Sequence, residues 1–185
     1  VPRGDVLAGE LTEAQFAASL DEVVSGTAPD AYGDASKFFA STYPSAGLKQ
    51  LLDEALGRSS GGRPDGASVI RLETNLGGGK NLIALYHAAA GRLPVDQAAE
   101  FMDVALLPAD PITQVGVFVG TSAGARTFPA VDGVFAQTVW GYLALQLGGP
   151  DGFALVAEDD AALTAPGSAA LKQLIGDRPT LILID

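Results

Sequence analysis

Apolar residues recur every three or four positions along much of the chain, the spacing that places them on one face of an α-helix. The clearest case begins after Ser45, a typical N-cap, and ends at Gly57, a typical helix terminator, with leucines along one side. Residues 30–44 lack this spacing and are predicted to form an irregular connector with an aromatic cluster. Helices are predicted over 12–26, 45–57, 81–91, 94–105, 135–147 and 166–175.

Three shorter segments predict β-strands, beginning at Val69, Gln114 and Thr180. The last two are apolar at nearly every position, as expected of strands buried on both faces. Residues 153–156 form either a short strand or the start of an excursion. Strands that alternate with helices predict right-handed βαβ units and a parallel sheet, with ligands at the carboxyl ends of the strands. We therefore expect an α/β fold.

A glycine-rich loop joins the first predicted strand to the helix after it, and it reads Gly77-Gly78-Gly79-Lys80-Asn81. Glycines allow backbone N–H groups to turn inward around phosphate, and the helix adds its free N-terminal donors and the positive end of its dipole. Lys80 would face the β- and γ-phosphates, as in a P-loop. A tight turn with a solvated lysine is the alternative, but both flanks favour binding of a nucleoside triphosphate.

The loop departs from the usual pattern G-x-x-x-x-G-K-[ST] at two positions. Thr74 occupies the first glycine position, and Asn81 stands where a Ser or Thr hydroxyl normally reaches Mg²⁺. The amide oxygen of Asn81 could ligate Mg²⁺, although its longer side chain makes it a poorer substitute.

The final segment, 180–185, is a continuous apolar strand that ends in Asp185. The second nucleotide motif, Walker B, is built in this way, because a buried strand delivers an aspartate that holds Mg²⁺ through water. An apolar strand ending in Asp is weak evidence alone, but the upstream Gly-Gly-Gly-Lys strengthens it. We predict that Lys80 and Asp185 are the catalytic residues, and that Asn81 and Asp185 serve the metal.

Composition narrows the function classes. The 185 residues are 48% hydrophobic, carry a net charge of −11 and include no cysteine. Basic residues are scattered, which argues against direct nucleic-acid binding. No apolar run approaches the roughly 20 residues that span a bilayer, and no signal peptide is evident, so a cytoplasmic protein is expected. His87 is expected to be a structural residue, and Glu158-Asp159-Asp160 a solvated acidic run rather than a cation site.

With these residues in view, the chain resembles a family of large bacterial predicted P-loop ATPases of AAA-like type. They are catalogued as a domain of unknown function and are often found among phage-defence genes. The resemblance rests on residues 38–39, 42–44, 47–48, 71–74, 77–80, 82–88, 138, 140–141, 146–149, 166–168 and 181–185.

The resemblance implies Mg²⁺-dependent ATP hydrolysis, with Tyr43 and Gly47 near the adenine. It also implies a three-layer P-loop NTPase-like sheet flanked by helices (residues 45–185) behind an N-terminal helical extension (residues 1–44). A homo-oligomer, or partner proteins of a defence system, would be the implied assembly.

Two departures from the family pattern matter. The family reads Gly-Gly-Gly-Lys-Thr-His before the Leu-Ile-Ala-Leu-Tyr-His run, whereas here Lys80 is followed by Asn81 and then directly by Leu82. We interpret this chain as two residues shorter there. A real deletion would turn the helix by roughly 200° relative to the loop and damage the site; otherwise two residues are missing from the sequence as written. The family also continues with a glutamate after the Walker B aspartate, so we expect a core truncated after that strand.

Three functional interpretations follow for the parent protein. The first is an ATPase core segment, inactive as an isolated piece. The second is a nucleotide-binding switch that does not hydrolyse, suggested by Asn81 and the missing glutamate. The third is a structural domain with a decayed P-loop, suggested by the shorter loop.

Overall fold

The computed structural model describes residues 19–72, 78–120 and 128–185. The described part is mostly helical and contains one small sheet. Its helices are α1 (Leu20–Ser25), α2 (Asp30–Gly33), α3 (Ala35–Ser41), α4 (Ala46–Ser59), α5 (Gly78–Ala89), α6 (Val95–Phe101), α7 (Val139–Ala154), α8 (Ala157–Ala161) and α9 (Ser168–Ile175), with a 3-10 turn at Val104–Leu106. Its strands are β1 (Gln114–Phe118) and β2 (Thr180–Ile184).

The two strands pair in parallel, from Gln114 opposite Thr180 to Phe118 opposite Ile184. This confirms the strands predicted from the two apolar runs. The chain between them includes α7, α8 and α9, and parallel strands require such a long crossover. The three-layer P-loop fold remains a prediction, because a two-stranded parallel sheet is compatible with several α/β architectures.

The strand predicted to begin at Val69 is not formed over the described residues 69–72, and the rest of that segment lies outside the described ranges. Val69 is 85% exposed, and no described strand lies beside it to complete a hydrogen-bonded ladder. A β-prone sequence without a paired neighbour does not make a strand.

Several helix boundaries also differ from the sequence prediction. Residues 30–44 contain α2 and α3 rather than an irregular connector, and Asp34 caps the second of these by accepting from the Lys37 amide. The predicted capping box at Thr12 lies outside the described residues; Ser19 and Glu22 form one at α1. Ser45 caps α4 as predicted, by accepting from the Leu48 amide.

Helix α7 is longer than predicted because the chain kinks at Gly149 and then resumes a helical path. Gly149 has a φ of 60°, a left-handed conformation that glycine adopts without strain, and Pro150 follows it. Residues 153–156 therefore lie at the end of this helix and in the turn after it, not in a strand.

The largest hydrophobic core lies on one face of the sheet. It joins α1 to α6 with Val117 and Leu183, and its largest buried side chains include Phe38, Phe39 and Phe101. On the opposite face α7 packs so closely on β1 that a Cβ added to Gly116 would lie 3.1 Å from Leu143. The described part of the predicted N-terminal extension shares the main core with the sheet.

Candidate functional site

The N-terminus of α5 lies beside the carboxyl end of β2. A Cβ built on Gly79 would lie 3.7 Å from Oδ2 of Asp185. Gly79 and Lys80 are in the first turn of α5, where backbone N–H groups have no partner within the helix. The two segments predicted to bind phosphate and Mg²⁺ are more than 100 positions apart in the sequence, and the tertiary structure brings them into contact.

Asp185 is held in place by its main chain while its side chain is free to serve a ligand. Its N–H donates to the Phe118 carbonyl at 2.9 Å, and its carbonyl accepts from the Gly120 N–H at 2.9 Å. These bonds continue the β1–β2 ladder by one step beyond Phe118 and Ile184. The residue is exposed, and no hydrogen bond to its carboxylate is formed within residues 19–72, 78–120 and 128–185.

Lys80 is exposed, and its Nζ lies 5.9 Å from the centre of the Tyr32 ring. That distance is within the range of a cation–π contact. In the described part of the chain no carboxylate lies within 4.0 Å of this ammonium group. The positive charge is therefore available to an anion.

The other predicted ligands are placed less decisively. Asn81 is half-buried in α5, whereas Gly77 lies outside the described residues and Gly78 opens α5. Tyr43 is 82% exposed, between α3 and α4. Gly47 is in the first turn of α4, a helix that packs against α5. Among the described residues, no hydrogen bond or ring contact joins Tyr43 or Gly47 to α5.

His87 is a buried structural residue, as the sequence analysis expected. It is fully buried on α5, and its Nε2 lies 2.7 Å from the Tyr32 carbonyl oxygen. A carbonyl only accepts, so Nε2 carries the hydrogen. The buried Nδ1 finds no hydrogen-bond partner among the residues that the structure describes. Burial lowers the pKa of His87 below its ordinary value of 6.5, so the ring is neutral near pH 7.

The acidic run Glu158-Asp159-Asp160 is not uniformly solvated, which corrects the sequence interpretation. Asp160 is 2% exposed and accepts from the Gln137 N–H at 2.9 Å, the Thr138 N–H at 2.8 Å and the Thr138 hydroxyl at 2.6 Å. It thereby anchors the N-terminus of α7. No local sequence pattern predicts the burial of Asp160, because its partners Thr138 and Gln137 precede it by 22 and 23 positions.

The described residues contain no group of three or more His, Cys, Asp or Glu side chains that could hold a metal ion by themselves. None of the helices over the described ranges is both long and apolar enough to cross a bilayer.

Comparison with known proteins supports one assignment. The model of the DUF499 N-terminal domain matches residues 2–102 and 121–185. The match covers most of the chain, so the protein belongs to the DUF499 family through that domain. No curated protein and no solved structure matches the chain.

Proposed function

We propose that this chain binds ATP with Mg²⁺ where α5 meets β2, as the nucleotide-binding segment of an AAA-like P-loop ATPase. The observation that carries the proposal is the approach of Gly79 to within 3.7 Å, measured from an added Cβ, of the Asp185 carboxylate. A phosphate-binding helix start and a magnesium-binding aspartate must be neighbours for one Mg²⁺–nucleotide to touch both.

Each of these residues would make a different interaction with Mg²⁺–ATP. Gly79 and the free N–H groups of α5 would hold phosphate oxygens, because the helix N-terminus favours negative charge. Lys80 would supply a fixed positive charge to the outer phosphates. Asp185, with Asn81 as a possible second oxygen donor, would hold the Mg²⁺ that neutralises the phosphate charge. The absence of a side chain at Gly79 keeps the space between helix and carboxylate open.

A thermal-unfolding experiment tests the binding step. Mg²⁺–ATP at about 100 times its dissociation constant should stabilise the fold by about 2.7 kcal/mol, or roughly 5–10 °C for a chain of this size. Lys80→Ala should abolish the shift, whereas Lys172→Ala, an exposed lysine on α9, should retain it. Asp185→Asn should remove the part of the shift that depends on Mg²⁺. An unchanged midpoint with ATP and GTP in the wild-type chain would refute the proposal.

A nucleotide-binding switch without hydrolysis is the second candidate, and the observation that favours it is Asn81 in place of the usual Ser or Thr. The two candidates differ in turnover. We expect phosphate release from ATP by the complete natural protein, lost in Lys80→Ala. ATP-dependent stabilisation with no phosphate release, in the presence of its partners, would select the switch. We also propose that the protein is cytoplasmic, that it forms a homo-oligomer or binds partner proteins of a defence system, and that it acts in phage defence as the resemblance implies.

A further inference from the structure

Tyr32 contacts α5 in two ways, although it belongs to α2. Its main-chain carbonyl accepts from Nε2 of His87 at 2.7 Å, and the face of its ring lies 5.9 Å from Nζ of Lys80. Tyr32 is only 6% exposed, so the backbone and the base of the ring are fixed by the core. One buried residue therefore connects the N-terminal helices to the predicted phosphate-binding lysine.

The two contacts on α5 are compatible because of helix geometry. Lys80 and His87 are seven positions apart, which is about two turns and about 10 Å along the axis, and they face within about 20° of the same direction. The His87 end of this pair is rigid, since the ring is fully buried and lies 5.6 Å from the Phe38 ring and 5.8 Å from the Tyr86 ring. The hydrogen bond to His87 thus fixes the position of Tyr32 along the axis of α5, and with it the place where the Tyr32 ring meets Lys80.

An aromatic ring suits a lysine that must later bind phosphate. A carboxylate would neutralise the ammonium and compete with the phosphate for its N–H donors. The ring face attracts the cation but has no lone pair that accepts a conventional hydrogen bond. The N–H donors of the ammonium group therefore stay available to phosphate. The ring also restricts a flexible four-carbon side chain in advance, so less rotamer entropy is lost when the lysine binds phosphate.

We propose that Tyr32 is the positioning residue of Lys80: its ring holds the ammonium group on one side in the orientation in which the other side receives the nucleotide phosphates. This inference rests on the proposed function. The ring is the working part, because in the described portion of the chain the Tyr32 hydroxyl forms no hydrogen bond. The N-terminal helices would then belong to the site rather than merely precede it.

The contact itself can be tested without nucleotide. The four lysines are converted to ¹³C-dimethyl-lysine, and the Lys80 signal is assigned by its absence in Lys80→Arg. The ring current of Tyr32 should move this signal upfield in the wild-type chain and in Tyr32→Phe, which keeps the ring. Tyr32→Leu should return it to the position of an exposed lysine. Tyr142→Leu is the control, because Tyr142 is a tyrosine on α7 whose ring stacks on Phe128 and not on Lys80 or His87.

The positioning role is tested by titration with Mg²⁺–ATP. Tyr32→Leu should weaken binding about 2- to 5-fold, as expected for loss of an exposed cation–π contact, and Tyr32→Phe should restore wild-type affinity. Urea denaturation confirms that each variant is folded at the titration temperature. Wild-type affinity in Tyr32→Leu, or tighter binding because the ring had withheld Lys80, would overturn the inference. If the wild-type chain binds no nucleotide, the proposed function fails first, and the upfield signal still reports the contact separately.

Discussion

Among the described glycines, Gly141 leaves the least room for an added Cβ, because Asp160 lies against it, and this gives a quantitative prediction for Gly141→Ala. A Cβ at Gly141 would lie 2.3 Å from Oδ1 and 2.7 Å from Cγ of Asp160, whereas ordinary contact begins near 3.4 Å. The carboxylate would have to move by about 1 Å. It cannot do so without disturbing its bonds to Gln137 and Thr138, which hold the start of α7.

The expected cost follows from three opposing contributions. Overpacking a buried site costs about 1–3 kcal/mol, and weakening one bond to a charged acceptor costs about 1.5–3 kcal/mol more. The higher helix propensity of alanine returns about 1 kcal/mol. The net loss is about 1.5–5 kcal/mol from a folding free energy of roughly 5–15 kcal/mol. The thermal midpoint should fall by roughly 3–20 °C.

Gly47→Ala is the matched control, because Gly47 is also in the first turn of a helix but has nothing within 4 Å of an added Cβ. It should stabilise the protein by about 0.5–1 kcal/mol. Both variants are measured by urea denaturation, followed by far-ultraviolet circular dichroism and by fluorescence of Trp140, the single tryptophan, which is on α7. Agreement of the two probes supports a two-state transition.

Equal stabilisation by the two alanines would refute the packing described for Asp160. A second test separates the clash from other effects. Asp160→Ala alone should destabilise by about 3–5 kcal/mol, because three donors lose their acceptor. Adding Gly141→Ala to Asp160→Ala should then cost little or nothing, since the atom it strikes has gone. Strict additivity in this cycle would mean that the two residues do not interact.

Two further predictions concern the sheet and His87. Gln146→Leu should destabilise the protein by about 1–3 kcal/mol in urea denaturation, because the Gln146 amide both accepts from and donates to the Val117 main chain at 2.8 Å. The control is Gln173→Leu at an exposed position, which should change stability by about 0.5 kcal/mol or less. Equal effects of the two substitutions would contradict the role of Gln146. Burial lowers the pKa of His87 in the folded state, so stability should be full above pH 6.5 and fall as the pH drops below 6.5, by up to about 1.4 kcal/mol per pH unit. His87→Gln, which keeps a donor for the Tyr32 carbonyl but does not titrate, should flatten this dependence, and an unchanged slope would exclude His87 as its source.

Sequence reasoning located the parts of the site but not all of its supports. Periodicity predicted α4 and both strands, because leucine faces and continuous apolar runs are local signals. It pointed to Lys80 and Asp185 through motif chemistry. It did not find Tyr32, because a tyrosine in an aromatic cluster looks the same whether its ring meets a neighbouring phenylalanine or a distant lysine. Its ring contact depends on how α2 packs against α5.

Buried polar residues show the same limit. Gln114 opens a strand that reads as apolar, yet it is 3% exposed and bonds the carbonyls of Leu147 and Leu174 and the hydroxyl of Thr180. The Gln146 amide hydrogen-bonds the main-chain N–H and carbonyl of Val117 on the edge of β1 that faces away from β2. Neither role could be predicted, because each depends on partners 29 to 66 positions away.

The sequence by itself determined helix α4 and strands β1 and β2, but not helices α2 and α3, and it marked Lys80 and Asp185 as the candidate phosphate and magnesium ligands. These properties follow from side-chain spacing, capping residues and glycine, which act within a few positions. Only the tertiary structure decided that Gly79 lies beside Asp185, that Tyr32 meets Lys80, and that Asp160 is buried. These contacts join segments distant in the sequence, and their energies depend on burial and geometry that exist only after the chain has packed.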